Sequence, residues 1–119
     1  MQYHELEVYK KLFQLADEVF RITLRFPKYE MYELGSQVRR SSNSGPANIA
    51  ETFGNKHTNI YLEGISRAMG EIRETQHHLN VALSREYIIK DKYNELNERY
   101  NECSKMLWGL EKSLKSTNN

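Results

Sequence analysis

The sequence predicts an all-α fold, an antiparallel up-down-up-down four-helix bundle. Three observations lead there. Apolar side chains return every three or four positions along four separate stretches. Proline and glycine are scarce, with two and six among 119 residues. The stretches are long and the links between them short, which forces successive helices to reverse direction. The length suits one domain, spanning residues 1–119.

The first stretch runs from about Leu6 to Phe26. Val8, Leu12, Leu15, Val19, Ile22 and Phe26 alternate spacings of four and three. Beside them runs a second stripe, Tyr9, Phe13, Ala16 and Phe20. Together they make an apolar face wide enough to need more than one neighbour. Pro27 stops the helix, because proline disfavours α geometry in the residue before it.

The second stretch is read from Tyr29 or Glu30 to Phe53, with Leu34, Val38, Gly45, Ile49 and Phe53 facing inward. Small residues crowd it, and Pro46 lies inside it. A helical proline removes a hydrogen bond and crowds the preceding turn, which predicts a kink near Ser42. The competing reading is two short helices joined by a turn at Asn43-Ser44-Gly45. The apolar period keeps its phase across Pro46, which favours a single kinked helix. Gly54-Asn55 supplies the stop.

The third stretch opens at Thr58 or Asn59, either able to cap it, and ends near Glu86. Leu62, Ile65, Met69, Ile72, Leu79 and Leu83 form its stripe, widened by Tyr61, Ala68, Thr75 and Ala82. The fourth is read as capped by Asp91. Tyr93, Leu96, Tyr100, Cys103, Leu107, Leu110 and Leu114 keep a heptad spacing. Acids gather in its first half and lysines at its end, as the helix dipole prefers. The tail from Ser116 to Asn119 is expected to fray.

Composition narrows the function. Seventeen basic and sixteen acidic residues give a net charge of +1, so the strongly basic footprint of a dedicated nucleic-acid binder is missing. Any such contact must come from a local patch or from one repeated by assembly. Cys103 is the only cysteine, which excludes an intrachain disulfide and suits a reducing compartment. No stretch resembles a signal peptide or reaches the about 18 apolar residues of a membrane span. The expected location is the cytoplasm.

Nothing in the sequence argues for catalysis or for a cofactor. A bundle carrying two metal ions needs Glu-x-x-His on each of two helices and a Glu from each of the others. Here Glu74 and His77 supply that spacing once, with no second copy. His77 and His78 are adjacent, so their rings diverge by about 100°. Glu74 is therefore read as an ion-pair residue and His77 as a surface one, with no metal site. Cys103 holds a core heptad position between Tyr100 and Leu107, where a thiol is structural. No phosphate-cradling glycine loop or G-x-S-x-G elbow occurs. Gly35, Gly45, Gly64, Gly70 and Gly109 are scattered along helices, where they permit close packing or bends.

Between Arg21 and Arg40 lie five basic residues, Arg21, Arg25, Lys28, Arg39 and Arg40, against two acids, Glu30 and Glu33. These cations could contact phosphates of RNA or DNA. The structural alternative has Arg21 and Arg25 complementing a helix C-terminus, and Arg39 or Arg40 pairing with Glu51, Glu71 or Glu74.

The same region carries a resemblance. Phe26-Pro27-Lys28, Tyr32-Glu33-Leu34, Ser36-Gln37-Val38-Arg39-Arg40-Ser41-Ser42, Pro46-Ala47-Asn48-Ile49-Ala50-Glu51 and Phe53-Gly54 resemble the four-helix-bundle family encoded by intervening sequences in bacterial 23S ribosomal RNA genes. Ala68 to Gln76 resembles its second motif. Gly45 and Gly70 depart from it, standing where a β-branched residue and a serine are common. The resemblance implies a homopentameric barrel of bundles. It also implies kinship with the accessory variability protein of diversity-generating retroelements, which binds nucleic acid and a reverse transcriptase.

Arg39, Arg40, Asn48 and Glu51 are polar groups on a helix with a small apolar inner face, and if buried they need partners. Glu71 and Glu74 on the third stretch are the natural ones. This set is read as a structural network that fixes helix register or a subunit interface. The expectation is a non-enzymatic homo-oligomer that serves as a nucleic-acid-binding accessory or adaptor. The alternative is a scaffold that binds another protein without nucleic acid.

Overall fold

The computed structural model describes residues 1–117. After a 3-10 turn at Tyr3–Glu5 come α1 (Glu7–Thr23), the one-turn α2 (Lys28–Met31), α3 (Leu34–Thr52), α4 (Thr58–Ser84) and α5 (Lys90–Thr117). The described residues are all helix and turn, packed into a rod 49 × 23 × 20 Å. Each long helix touches two others: α1 meets α3 and α5, and α4 meets α3 and α5. No helix among the described residues is long and apolar enough to cross a membrane.

The stripes read from the sequence form the core. Val8, Leu12, Leu15 and Val19 of α1 are buried against Val38 and Ile49 of α3, Ile65, Ile72 and Leu79 of α4, and Leu96, Tyr100, Cys103 and Leu107 of α5. The second stripe of α1 fares differently. Phe13 and Phe20 remain 51% and 49% exposed, and Leu24 joins them on the surface. The wide face is real, but one chain covers only half of it.

The second stretch is two helices rather than one. The chain breaks at Tyr32-Glu33, where Glu33 leaves helical geometry at φ −102°, ψ −89°. The break is tolerated because the carbonyl of Met31 finds another donor, the Arg39 guanidinium, at 2.9 Å. From Leu34 to Thr52 the helix then runs uninterrupted through Pro46, with no turn at Asn43-Ser44-Gly45. Gly54, at φ +64°, ends it in the left-handed conformation that glycine adopts without strain.

Other ends differ by a few residues from expectation. His57, not Thr58 or Asn59, holds the cap position of α4, and its N–H donates to Asn55 Oδ1 at 2.9 Å. Asp91 lies within the first turn of α5 rather than ahead of it. Ser116 and Thr117, expected to fray, lie within α5; Asn118 and Asn119 are outside the described residues. The end of α4 is a Schellman closure. Tyr87 N–H bonds to Ala82 O at 2.8 Å and Glu86 N–H to Leu83 O at 3.0 Å, with Glu86 at φ +64°.

Along α3 and α4, partners run in opposite order. Glu30, just ahead of α3, meets Arg85 beyond α4, whereas Arg40, further along α3, meets Glu74, further back on α4. At the far end Thr52 crowds Gly64, where a Cβ would lie 1.9 Å from Thr52 Oγ1. That near-contact lets the two backbones approach closely.

Candidate nucleic-acid interface

The five cations singled out in the sequence separate into two groups. Arg21 sits in the last turn of α1, Arg25 follows it in the turn, and Lys28 opens α2. All three are exposed, and none belongs to an ion pair among the described residues. Arg39 is half-buried. Its Nη1 donates to Thr23 Oγ1 at 2.9 Å and its Nη2 to Met31 O at 2.9 Å. Arg40 turns to α4, bonding Glu74 and lying 3.8 Å from Glu71. Arg39 and Arg40 are thus occupied within the chain, whereas Arg21, Arg25 and Lys28 are open to solvent.

The polar network is brought together in part. Arg40, Glu71 and Glu74 meet between α3 and α4, and His78 Nε2 adds a contact at 3.3 Å to Glu74 Oε2. Arg40 is more than half exposed, so this cluster contributes little beyond about 1 kcal/mol. Asn48 instead donates to Ser44 O of its own helix at 2.7 Å, and Glu51 is exposed. The buried polar link between the helices is one the pattern concealed, Ser41 Oγ to Thr75 Oγ1 at 2.8 Å. Glu74 contacts His78, one turn on, while His77 is exposed.

The acids of the basic stretch also part company. Glu33 is exposed, whereas the Glu30 side chain is nearly buried. Its Oε2 accepts Arg85 Nη1 at 2.6 Å and the Tyr87 hydroxyl at 2.9 Å. Burial is the largest single influence on this carboxyl and pushes it up. The bonds from Tyr87 and Arg85, with the guanidinium charge, together outweigh burial and hold it below the ordinary value. Tyr87, sharing bonds with Tyr29 and Glu30, is held protonated well above the usual tyrosine range. In the sequence Glu30 counts with Glu33 among the acids of the basic stretch, and nothing there signals its burial.

Several concavities flank these groups, one of about 390 Å³ having Glu30, His78 and Arg85 in its own lining. A groove of about 500 Å³ lies between α1 and α3, with Ala16, Phe20, Ser36, Arg39 and Arg40 among its lining. A more apolar one of about 360 Å³ is lined by Ile22, Arg25, Tyr87, Ile88, Ile89 and Lys92. Cys103 is buried, and desolvation pushes its thiol up to about 11, away from nucleophilic use. Among the described residues, no three His, Cys, Asp or Glu side chains come together as a metal site.

The model of the 23S rRNA-intervening sequence protein family matches residues 4–109, nearly the whole chain. The chain belongs to this family. A crystal structure at 1.70 Å from Bacteroides thetaiotaomicron, of a protein with unknown function from the S23 ribosomal protein family, shares the fold. Its TM-score is 0.79 at 23% identity, over 88% of this chain and 98% of that one. No curated protein matches. Within the 23S rRNA-intervening sequence match lie both arginines at 39 and 40, the buried Glu30 cluster and the open cations of α1 and α2.

Proposed function

We propose that this chain is a non-enzymatic, self-assembling four-helix bundle that docks nucleic acid as an accessory or adaptor. The opposed order of partners along α3 and α4 supports an up-down-up-down arrangement, bent where Pro46 interrupts the bonding of α3. One observation carries the functional reading. At the α1–α2 end three exposed cations belong to no ion pair among the described residues, while the neighbouring Glu30 is buried and satisfied. Phosphates approaching that end meet unspent positive charge. Kinship with the accessory variability protein of diversity-generating retroelements fits the same surface.

Self-assembly rests on the uncovered stripe of α1, Phe13, Phe20 and Leu24, which borders the α1–α3 groove. A ring such as a homopentamer hides the stripe and repeats the weak basic end, so several patches act on one polymer. The same stripe favours the second reading, a scaffold that holds another protein without nucleic acid. The buried lone cysteine suits a cytoplasmic setting.

A mobility-shift titration with RNA and DNA across salt concentrations tests the function. Binding should weaken with salt. The variant with Arg21→Gln, Arg25→Gln and Lys28→Gln should lose most of it, lowering the salt slope by up to about 3 per contacting chain. Absence of binding at low salt, or indifference to those charges, rejects the reading. Light scattering should return a mass of several chains.

A further inference from the structure

We infer that the α1–α2 end is a stacking platform for single-stranded nucleic acid, with Tyr29 and Tyr32 facing the bases and Arg25 and Lys28 the phosphates. The inference rests on the nucleic-acid reading above and narrows it to one class of ligand.

Tyr29 is 74% exposed and Tyr32 69% exposed. Each ring could bury on the order of 150 Å² or more, yet both remain in water. Tyr32 follows α2 directly and keeps right-handed geometry at φ −97°, ψ −6°, so it lies about one turn beyond Tyr29 on the same side. The turn itself is held firmly. Pro27 O accepts the N–H groups of Glu30 and Met31 at 2.8 and 2.9 Å, and Arg39 secures Met31 O from the other side. The Tyr29 hydroxyl lies 3.5 Å from that of Tyr87, which donates to buried Glu30. At 74% exposure, most of Tyr29 is open to a ligand.

Charge and shape agree with these rings. Lys28 adjoins Tyr29, and Arg25 shares the lining of the apolar groove with Ile22, Tyr87, Ile88, Ile89 and Lys92. An unpaired base has a free π-face for a tyrosine and an apolar body for that groove. Bases inside a duplex are stacked on one another and offer only phosphates and groove edges. The tyrosines can thus contribute to a single strand and not to a duplex, whereas the cations serve both.

Fluorescence anisotropy on the full assembled chain tests this, with labelled oligothymidylate of about 16 nucleotides and a duplex of equal length. At low salt the single strand should bind at least about tenfold tighter, and Tyr29→Ala with Tyr32→Ala should remove about tenfold or more of that affinity. The same pair should leave duplex binding unchanged, and Tyr29→Phe with Tyr32→Phe should retain the preference. Equal affinity for both forms in the unaltered chain, or a tyrosine pair without effect, overturns the inference. If binding survives those results but vanishes with Arg21→Gln, Arg25→Gln and Lys28→Gln, the broader reading stands without it. Absence of binding to either form overturns both.

Discussion

The close approach of α3 and α4 makes a sharp prediction about two glycines on one helix. Gly64 and Gly70 both lie inside α4, so either change to alanine gains up to about 1 kcal/mol of helix propensity. At Gly70 the new methyl finds open space, its nearest neighbour being Arg73 Nη2 at 4.0 Å. Gly70→Ala should therefore stabilise the fold by about 0.5–1 kcal/mol. At Gly64 the methyl would sit 1.9 Å from Thr52 Oγ1 and 2.8 Å from both Thr52 Cβ and Cγ2. Turning Thr52 away forfeits its hydrogen bond to Asn48 O, present at 2.9 Å, and leaves the Cβ clash in place. The helices must then move apart. Overpacking costs about 1–3 kcal/mol and a lost bond about 1 kcal/mol more, which exceeds the propensity gain. Gly64→Ala should be destabilising by about 1–3 kcal/mol. Urea denaturation followed by circular dichroism reads both variants, and the denaturant slope should be unchanged. Adding Thr52→Ala should restore part of the loss, because it deletes two of the three clashing atoms. A Gly64→Ala protein as stable as Gly70→Ala would refute the close crossing.

Three other measurements follow from particular residues. Glu86 occupies a left-handed position at φ +64°, so Glu86→Gly should raise the unfolding free energy by about 1 kcal/mol in the same assay. Glu30 is held below its ordinary value of 4.5, so its contribution is complete above that pH and disappears as pH falls through the lower folded value. Thermal melts should lose stability on acidification below about 4.5, and Glu30→Gln should flatten that part of the profile; an unchanged profile contradicts the Arg85–Tyr87 cluster. Cys103, buried with its thiol pushed up to about 11, should resist a disulfide reagent near pH 8 and react once urea unfolds the chain. Prompt reaction of the native protein would place the thiol elsewhere.

Much of the fold was legible because burial follows periodicity. Val19, Ile49, Ile72 and Leu107, each read as an inward position, are wholly or almost wholly buried. The continuity of the helix through Pro46 was legible too, since an unbroken apolar phase outweighed the local breaker. The separation of α2 from α3 was not. It depends on Arg39 reaching back to Met31 O, a contact across eight residues that no local pattern encodes. Nor could spacing show that Arg39 and Arg40 would be engaged while Arg21, Arg25 and Lys28 stayed exposed. That division depends on where Thr23 and Glu74 come to rest. The Schellman closure at Glu86 lacked its usual glycine, and no spacing marked Tyr29 and Tyr32 as an exposed pair.

The Arg39 fork also has a bearing on how this surface can change over time. One planar guanidinium clasps a hydroxyl at the close of α1 and a carbonyl at the close of α2, on either side of Pro27. A lysine would keep the charge but present one compact donor group where two parallel reaches are needed. The turn displaying the tyrosines could then swing while the four rods beneath stay packed. Residue 39 is in this sense an adjusting screw: it sets the angle at which the outer rim meets whatever it touches, independently of the core.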